Sequence, residues 1–468
     1  MNNFDFDLII IGAGPGGYMA AEQAGHYGKK VLIIEKGMYG GVCLNIGCIP
    51  TKALIKSGKI AHYLENASSY GIEFSENASF KPNWAMIQTR KQKVVDTLVN
   101  GVKYILKAAK ATVIEGEASF IDDHTVQVNG KNYTGENILV ATGSRNRSLN
   151  LPGFAESYKS GKMIGSTEAL NLPSIPRRFT VIGGGVIGIE IATIYRSMHA
   201  EVTIVQGLDR ILEKLDSDIS RHALRHLTDY GVKVILNAKI IKSEGGNLHI
   251  NVDGKDQVIE GDYILESVGR KVNDELLEPL NLDRDEKGHI KLNEYLQTSK
   301  PHIYMAGDVT GQMMLAHYAY HQARFVVDHI LHHNPMRVLP LFTPGCIYTH
   351  SEIATIGYTE EYLKDHNIPY VKAVLPMTSN GKAIADGETR GMMKMLANKE
   401  NGQILGVHMI SSASSDMISE IAVALTNGMT VFDIYGAIHP HPAIAESIGD
   451  AARKIIYENF KDHIFNIQ

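Results

Sequence analysis

Residues 7–17 read DLIIIGAGPGG, an apolar run that leads directly into Gly12, Gly14 and Gly17. An unbroken apolar stretch of this kind suits a strand buried on both faces. The glycine spacing, G-x-G-x-x-G, suits a turn that carries a dinucleotide pyrophosphate. Gly12 allows the tight turn, Gly14 lets backbone N–H groups approach the phosphates, and Gly17 lets a helix pack closely on the strand. Downstream, MAAEQAGHYG (19–28) reads as the helix whose N-terminus faces the phosphate charge, and KKVLIIEK (29–36) as a second buried strand. Glu35, at the end of that strand, is placed to accept hydrogen bonds from a ribose diol.

The unit recurs at 179–206, FTVIGGGVIGIEIATIYRSMHAEVTIVQ, with Gly183, Gly185 and Gly188 at one constant offset from the first three glycines. Two dinucleotide sites are expected. Gln206 stands where the first copy has Glu35. A carboxylate there favours free ribose hydroxyls and repels a 2′-phosphate, whereas an amide keeps the hydrogen bond without the repulsion. No arginine pair follows the strand, and Arg210 is the nearest basic residue. The sequence therefore favours NAD while weakening the exclusion of NADP.

A third marker is HIYMAGDV (302–309), a short strand leading to Gly307 and Asp308, followed by the helix-like run MMLAHYAYHQARFVVDHIL. ATGS (141–144) and SVGR (267–270) each follow an apolar strand and read as chain crossings out of a nucleotide-binding unit. Thr142 and Gly143 in the first, and Gly269 in the second, are candidate nucleotide contacts. Pro152 and Gly153 mark a linker. Residues 1–150 and 276–345 are read as framing one nucleotide, with 151–275 inserted between them to hold the other. After Pro344 the pattern changes. CIYTHSEIATIGYT, GMMKMLAN and QILGVHMIS alternate like antiparallel strands, and MISEIAVALTNG follows as an apolar helix. The fold expected is α/β, with two Rossmann-like dinucleotide-binding domains and a C-terminal α+β domain over 346–468 suited to dimerisation.

Composition narrows the function classes. At 468 residues the chain exceeds the size of a single core, and 44% hydrophobic with 21% charged residues is ordinary for a soluble protein. A net charge of -5 gives no field that would attract nucleic acid. The N-terminus has aspartates where a secretory signal wants basic residues, and no stretch approaches the roughly 18 apolar residues that span a bilayer. Three cysteines cannot build a secreted-type disulfide framework. A reducing compartment, the cytoplasm, is expected.

Two of those cysteines, Cys43 and Cys48, lie together in GGVCLNIGCIPTKAL (40–54). Zinc needs about four ligands; the third cysteine is Cys346 and no histidine pair lies nearby, so no metal is expected. In one regular helix the pair would be about 7.5 Å apart, beyond the roughly 7 Å that a disulfide tolerates between Cα atoms. A bridge would therefore have to straddle a loop entering a helix. Gly40 and Gly41 supply that loop, and Pro50 suits the first turn of the helix KALIKSGKIAHYL. Cys48 would then sit at the positive helix end, which favours a thiolate.

GGVCLNIGCIPTKAL, the two glycine units, MAGDV and IHPHPAIAES (438–447) together resemble the pyridine-nucleotide disulfide oxidoreductases, over essentially the whole chain. The nearest branch is the one that oxidises dihydrolipoamide. The resemblance implies FAD at the first glycine unit and NAD at the second. It also implies a homodimer acting on dihydrolipoamide carried by lipoyl domains of 2-oxo-acid dehydrogenase complexes or the glycine cleavage system. On this resemblance Cys43 exchanges with the substrate dithiol and Cys48 contacts the flavin. Lys52 lies beside the flavin, paired with Glu190, and Asp308 binds the FAD ribityl chain. The backbone at Leu315, Ala316 and His317 faces the flavin ring. His441, from the partner subunit, is the acid/base and Glu446 orients it; His439 is the competing histidine, and the family pattern selects the second of the pair. A neutral thiol needs a base to become a nucleophile, and histidine has the appropriate pKa.

Several positions depart from the family pattern. Gln206 replaces a glutamate, Ser351 a proline, and YAYHQAR (318–324) a lysine- and glutamate-containing segment. Cys346 is extra and is read as a packed thiol. Two alternatives stand beside the dihydrolipoamide reading: another disulfide reductase of the family using NAD(P)H, and a flavoprotein assembly subunit without turnover.

Overall fold

The first strand, Phe6–Ile11, lies at the centre of a parallel sheet in a computed structural model that describes residues 4–75, 79–334 and 339–461. It is flanked by Val31–Glu35 and Lys131–Val140, and Thr112–Glu115 extends the sheet beyond Val31–Glu35. Ile303–Met305 adds a parallel strand on the far side of Lys131–Val140, so the chain returns to this sheet after an excursion over residues 141–302. Leu8, Ile9 and Ile10 are almost fully buried, which is why their pattern is continuous rather than alternating. Helix α1 (Pro15–His26) begins at Pro15, ahead of the expected Met19. Gly14 caps it in an extended conformation, and the fixed φ of Pro15 suits the first helical position. Gly12 adopts φ +103°, and a Cβ there would lie 2.5 Å from the Ala141 carbonyl oxygen. Only glycine serves at this turn.

The second unit repeats the plan. Arg178–Ile182 lies between Glu201–Val205 and Tyr263–Glu266, with Lys233–Ile235 and Met163–Ile164 at the two edges, all parallel. An antiparallel meander, Lys239–Glu244, Asn247–Val252 and Lys255–Glu260, is appended to it. The two crossings read from the sequence meet each other: Ser144–Asn146 pairs antiparallel with Arg270–Val272.

The C-terminal region is a five-stranded antiparallel sheet in the order Gly345–Ile347, Glu352–Gly357, Ile404–Ser411, Met392–Asn398, Tyr370–Pro376. The last of these was absent from the sequence reading, because only Val371 and Ala373 of its short alternation are buried. Helices Ser414–Thr426 and Glu446–Asn459 pack their apolar faces on this sheet, with Ile418, Ile421, Ile448 and Ile455 in one core. The architecture is the expected α/β fold with two Rossmann-like units and a C-terminal α+β region. Among the described residues, no helix is long and apolar enough to cross a membrane.

The seam between the second unit and the C-terminal sheet is ionic. Lys394, with a side chain only 1% exposed, contacts Asp216 at 2.9 Å, Asp218 at 2.8 Å and Glu360 at 2.6 Å. Against the upward push of burial, hydrogen bonds from Lys372, Lys394 and Tyr370 hold the Glu360 carboxyl far below the usual carboxylate range. Asp218 is lowered in the same way by Lys394. Groups depressed on folding stabilise the fold above their unfolded pKa, and that stability is lost as pH falls. Lys394→Met strands the carboxylates and should lower unfolding free energy by about 3–5 kcal/mol. Denaturant titration of both proteins measures the difference, and the gap should narrow below about pH 4 as the carboxylates take up protons.

Candidate functional site

Gly40 takes φ +88° and caps a short helix, α2 (Gly41–Ile46), and Gly47 separates it from α3 (Cys48–Glu65). Cys43 thus lies in a helix of its own, not in the loop expected from the sequence. The break at Gly47, with φ −140° and ψ −111°, does what a single helix could not. It brings the Cα atoms of Cys43 and Cys48 to 4.6 Å, and the two are joined as a disulfide. Cys48 is the first residue of α3. The unpaired N–H groups there carry partial positive charge, which favours a thiolate once the bridge is opened.

One turn further, Lys52 projects from the same face of α3. Its Nζ donates to both carboxylate oxygens of Glu190 at 2.9 Å. Glu190, 5% exposed, belongs to α4 (Val186–Ser197), the helix that opens the second glycine unit. Tyr348, from the segment after Gly345–Ile347, joins them in two ways: its backbone N–H donates to Glu190 Oε1 at 2.9 Å, and its ring lies 4.5 Å from Lys52 Nζ. The sequence reading missed Tyr348, because nothing in CIYTHSEIATIG separates an aromatic that packs from one that supports a charge. Cys346 lies beside this group; burial first, and then the Glu352 carboxylate, push its thiol up to about 11.

Glu35 sits at the mouth of the first glycine unit with its carboxylate already engaged. Oε2 accepts from Ala13 N–H at 2.7 Å, and Oε1 accepts from Gly37 and Met38 N–H at 3.0 and 2.9 Å. Of roughly four acceptor positions, one remains for a ligand hydroxyl. Asp308 accepts from the Ser144 hydroxyl, and Arg270 ties the pair by donating to Ser144 Oγ at 2.7 Å and lying 3.8 Å from Asp308. Ser144 and Arg270, the last residues of ATGS and SVGR, were not singled out from the sequence; their signal was the matched position of the two crossings. Thr142 Oγ1 donates to the Asn273 carbonyl at 2.6 Å, and Gly143 takes φ +72°. Leu315 caps α5 (Ala316–Ile330), so Ala316 and His317 present first-turn N–H groups. The helix starts at Ala316 and leaves Met313 and Met314 outside, later than the helix-like run suggested. His317 Nε2 bonds to the Pro344 carbonyl at 2.7 Å.

The YAYHQAR departure has a structural account. Gln322, fully buried, accepts from Gly307 N–H at 2.7 Å, Tyr318 donates to Gln312 at 2.8 Å, and Tyr320 pairs its hydroxyl with that of Tyr18 on α1 at 2.6 Å. These bonds hold the turn before Asp308 against α1.

In the second unit Gln206 Oε1 accepts from Gly184 N–H at 3.0 Å, the counterpart of the Glu35–Ala13 bond, and Gln206 Nε2 donates to the Arg210 carbonyl at 3.1 Å. Arg210 is itself turned to the Glu213 carbonyl at 2.6 Å. The central glycines test whether nucleotides fit. A Cβ on Gly185 would meet nothing within 4 Å, and one on Gly14 only the Gly41 Cα at 3.8 Å. Neither glycine is required by the protein's own packing, so the space in front of both helix N-termini suits the close approach of a pyrophosphate. Gly269, at φ +111°, borders similarly open space. Gly183 instead packs against Ser267, and Gly188 against Gly183, Ser267 and Val181.

His441 and Glu446 form a separate pair. His441 Nδ1 bonds to Glu446 Oε1 at 2.8 Å, while Glu446 Oε2 accepts from Ala443 N–H at 2.8 Å. That backbone bond first, and then His441, hold the Glu446 carboxyl below its ordinary range. His441 remains 80% exposed by side chain. Among the described residues no hydrogen bond or ion pair joins it to Cys43 or Cys48 within the chain. His439 has its own partner, Glu420, at 3.0 Å and is mostly buried.

The chain matches the family model described as pyridine nucleotide-disulphide oxidoreductase over residues 6–323, and that family's dimerisation domain over 343–452. It is 50% identical to the dihydrolipoyl dehydrogenase of Mycoplasma genitalium over 97% of this chain and 100% of the relative. It is 38% identical to that of Geobacillus stearothermophilus over 95% of each chain. Among solved structures it is similar to the HOCl-induced flavoprotein disulfide reductase RclA from Escherichia coli, with a TM-score of 0.84, 26% identity, and coverage of 96% of this chain and 99% of the other.

The thiols should be chemically distinguishable. Iodoacetamide at pH 7.5 is expected to leave the oxidised protein unmodified at Cys43 and Cys48 and slow at Cys346, whose thiol is held near 11. After reduction, peptide mass mapping should find rapid labelling of the pair while Cys346 lags by tenfold or more, as roughly expected from thiolate fractions.

Proposed function

Because the chain belongs to the pyridine nucleotide-disulphide oxidoreductase family, we propose that it oxidises dihydrolipoamide to lipoamide and reduces NAD+, with FAD as resident cofactor. The observation that carries this reading is the Cys43–Cys48 disulfide at the head of α3, one turn from a lysine whose partner, Glu190, opens the second glycine unit. Gly12, Gly14, Gly17, Glu35, Thr142, Gly143, Asp308 and the N–H groups at Leu315, Ala316 and His317 would hold FAD. Gly183, Gly185, Gly188, Glu190, Gln206 and Gly269 would hold NAD. Bound FAD supplies the two-electron link between the protein dithiol and NAD+.

The chain's own residues carry the thiol chemistry. A substrate thiolate attacks Cys43 Sγ; the Cys43–Cys48 bond breaks and Cys48 leaves as a thiolate stabilised by the N-terminus of α3. The second substrate thiol then attacks the mixed disulfide, closing lipoamide and releasing Cys43. His441 of the partner subunit takes the proton at Nε2, since Glu446 holds the proton on Nδ1. The exposure of His441 in the single chain, on a dimerisation domain, supports its use across a homodimer interface. Lys52, braced by Glu190 and the Tyr348 ring, would place a fixed positive charge against the flavin.

The same reading divides the chain into an FAD-binding domain over 1–150, an NAD-binding domain over 151–275, a central segment over 276–345 that completes the FAD site, and an interface domain from 346. It places the enzyme in the cytoplasm with lipoyl domains as its partners.

With FAD-loaded protein, dihydrolipoamide and NAD+ should give steady NADH production; glutathione disulfide reduced by NADPH, with no such NADH, would favour the reductase alternative, and neither reaction the assembly-subunit one. His441→Gln should lower kcat/KM for dihydrolipoamide by about 10²–10⁴-fold while NADH oxidation by an artificial acceptor persists. The second glycine unit generates its own expectation. Gln206→Glu restores a charge that repels a 2′-phosphate, so the NAD+ to NADP+ ratio of kcat/KM should rise by about tenfold or more.

A further inference from the structure

The turn between Ser119–Phe120 and Thr125–Val128 meets the residues leading into Ile303–Met305 at the edge of the first sheet, away from the cysteine pair. Asp123, His124 and His302 come together there, with one potential ligand atom from each within 4.8 Å of the others. All three are half-buried. The two imidazoles stack with centroids 3.8 Å apart and planes 10° from parallel.

Each ring is anchored by one nitrogen to a backbone carbonyl: His124 Nδ1 to Gly135 at 2.8 Å, and His302 Nε2 to Asp123 at 2.9 Å. A carbonyl only accepts, so these nitrogens carry the protons, leaving lone pairs on His124 Nε2 and His302 Nδ1. An imidazole whose other N–H is anchored in this way is in the form that ligates metals. The Asp123 carboxylate is at present matched by Lys300, whose Nζ lies 2.8 Å away.

We propose that Asp123, His124 and His302 bind one divalent first-row transition cation, with Zn2+ the best chemical fit. Two imidazole nitrogens, one carboxylate oxygen and water make a tetrahedral set that this ion favours over Mg2+ or Ca2+. Near-parallel rings cannot aim both lone pairs at one ion, so binding turns one imidazole out of the stack and exchanges its carbonyl bond for water. The cation also takes the place of the Lys300 ammonium beside Asp123. Loaded in this way, the site clamps the turn at 121–124 to the lead-in of the strand that runs on to Gly307 and Asp308.

Untagged, FAD-loaded, oxidised protein dialysed against micromolar Zn2+ should retain one equivalent per chain by metal analysis. His124→Gln and His302→Gln should each weaken binding by about tenfold or more. Lys300→Met, which removes the competing cation, should tighten it. Absence of binding by the parent, undiminished affinity in either histidine variant, loss of zinc in His441→Gln, or unchanged affinity in Lys300→Met would each overturn the proposal. The lysine variant keeps the test decisive if a histidine variant fails to fold.

Discussion

The ion pair between Lys52 and Glu190 is the contact on which the arrangement of the site depends, because it crosses three parts of the chain at once. Lys52 stands on the helix that begins with Cys48, Glu190 on the helix that begins with the second glycine turn, and Tyr348 reaches both from the edge of the C-terminal sheet. A largely buried carboxylate with one partner would be expensive to desolvate. Here two charge-assisted bonds, a backbone N–H and an aromatic face share the load. The disulfide therefore cannot move relative to the second dinucleotide unit without breaking a compensated charge. Such rigidity suits a relay in which reacting groups must remain in line.

The cysteine segment shows a second constraint. A disulfide across Leu44-Asn45-Ile46-Gly47 is incompatible with continuous helix, and the backbone meets it with one interruption at Gly47 instead of a loop. The solution places Cys43 on one short helix and Cys48 at the amino end of a long one. The two sulfurs consequently differ in electrostatic surroundings, and the second has the surroundings of a leaving thiolate.

The parts of the fold legible from sequence were those with a strong local signature. Continuous apolar strands followed by glycines with forced geometry, such as Gly12, read directly, and they positioned α1, α4 and both parallel sheets. What the sequence did not reveal depends on partners distant in the chain. Ser144 and Arg270 are ordinary residues until two crossings pair and bring them to Asp308. Tyr348 is one aromatic in a strand-like pattern until Lys52 arrives over its ring. Helix α2 is too short for its periodicity to be seen, and Lys394 is a charged residue in an apolar strand, explained only by carboxylates supplied from other elements.

The two glycine units, alike in backbone, differ at their strand ends in a way that matches different lifetimes of occupancy. Glu35 is fixed by three backbone N–H groups, and its surroundings are reinforced by the return of residues 303–308 and α5 to the same sheet. That is a preformed geometry suited to a cofactor that stays. Gln206 makes one such bond and turns its amide group to the Arg210 carbonyl, and the place that Ile303–Met305 holds in the first sheet is taken in the second by the shorter strand Met163–Ile164. A less saturated site suits a nucleotide that must leave after each turnover, since tight uniform binding would slow release without helping the chemical step. The asymmetry between Glu35 and Gln206 therefore concerns exchange as much as the choice between phosphorylated and free ribose.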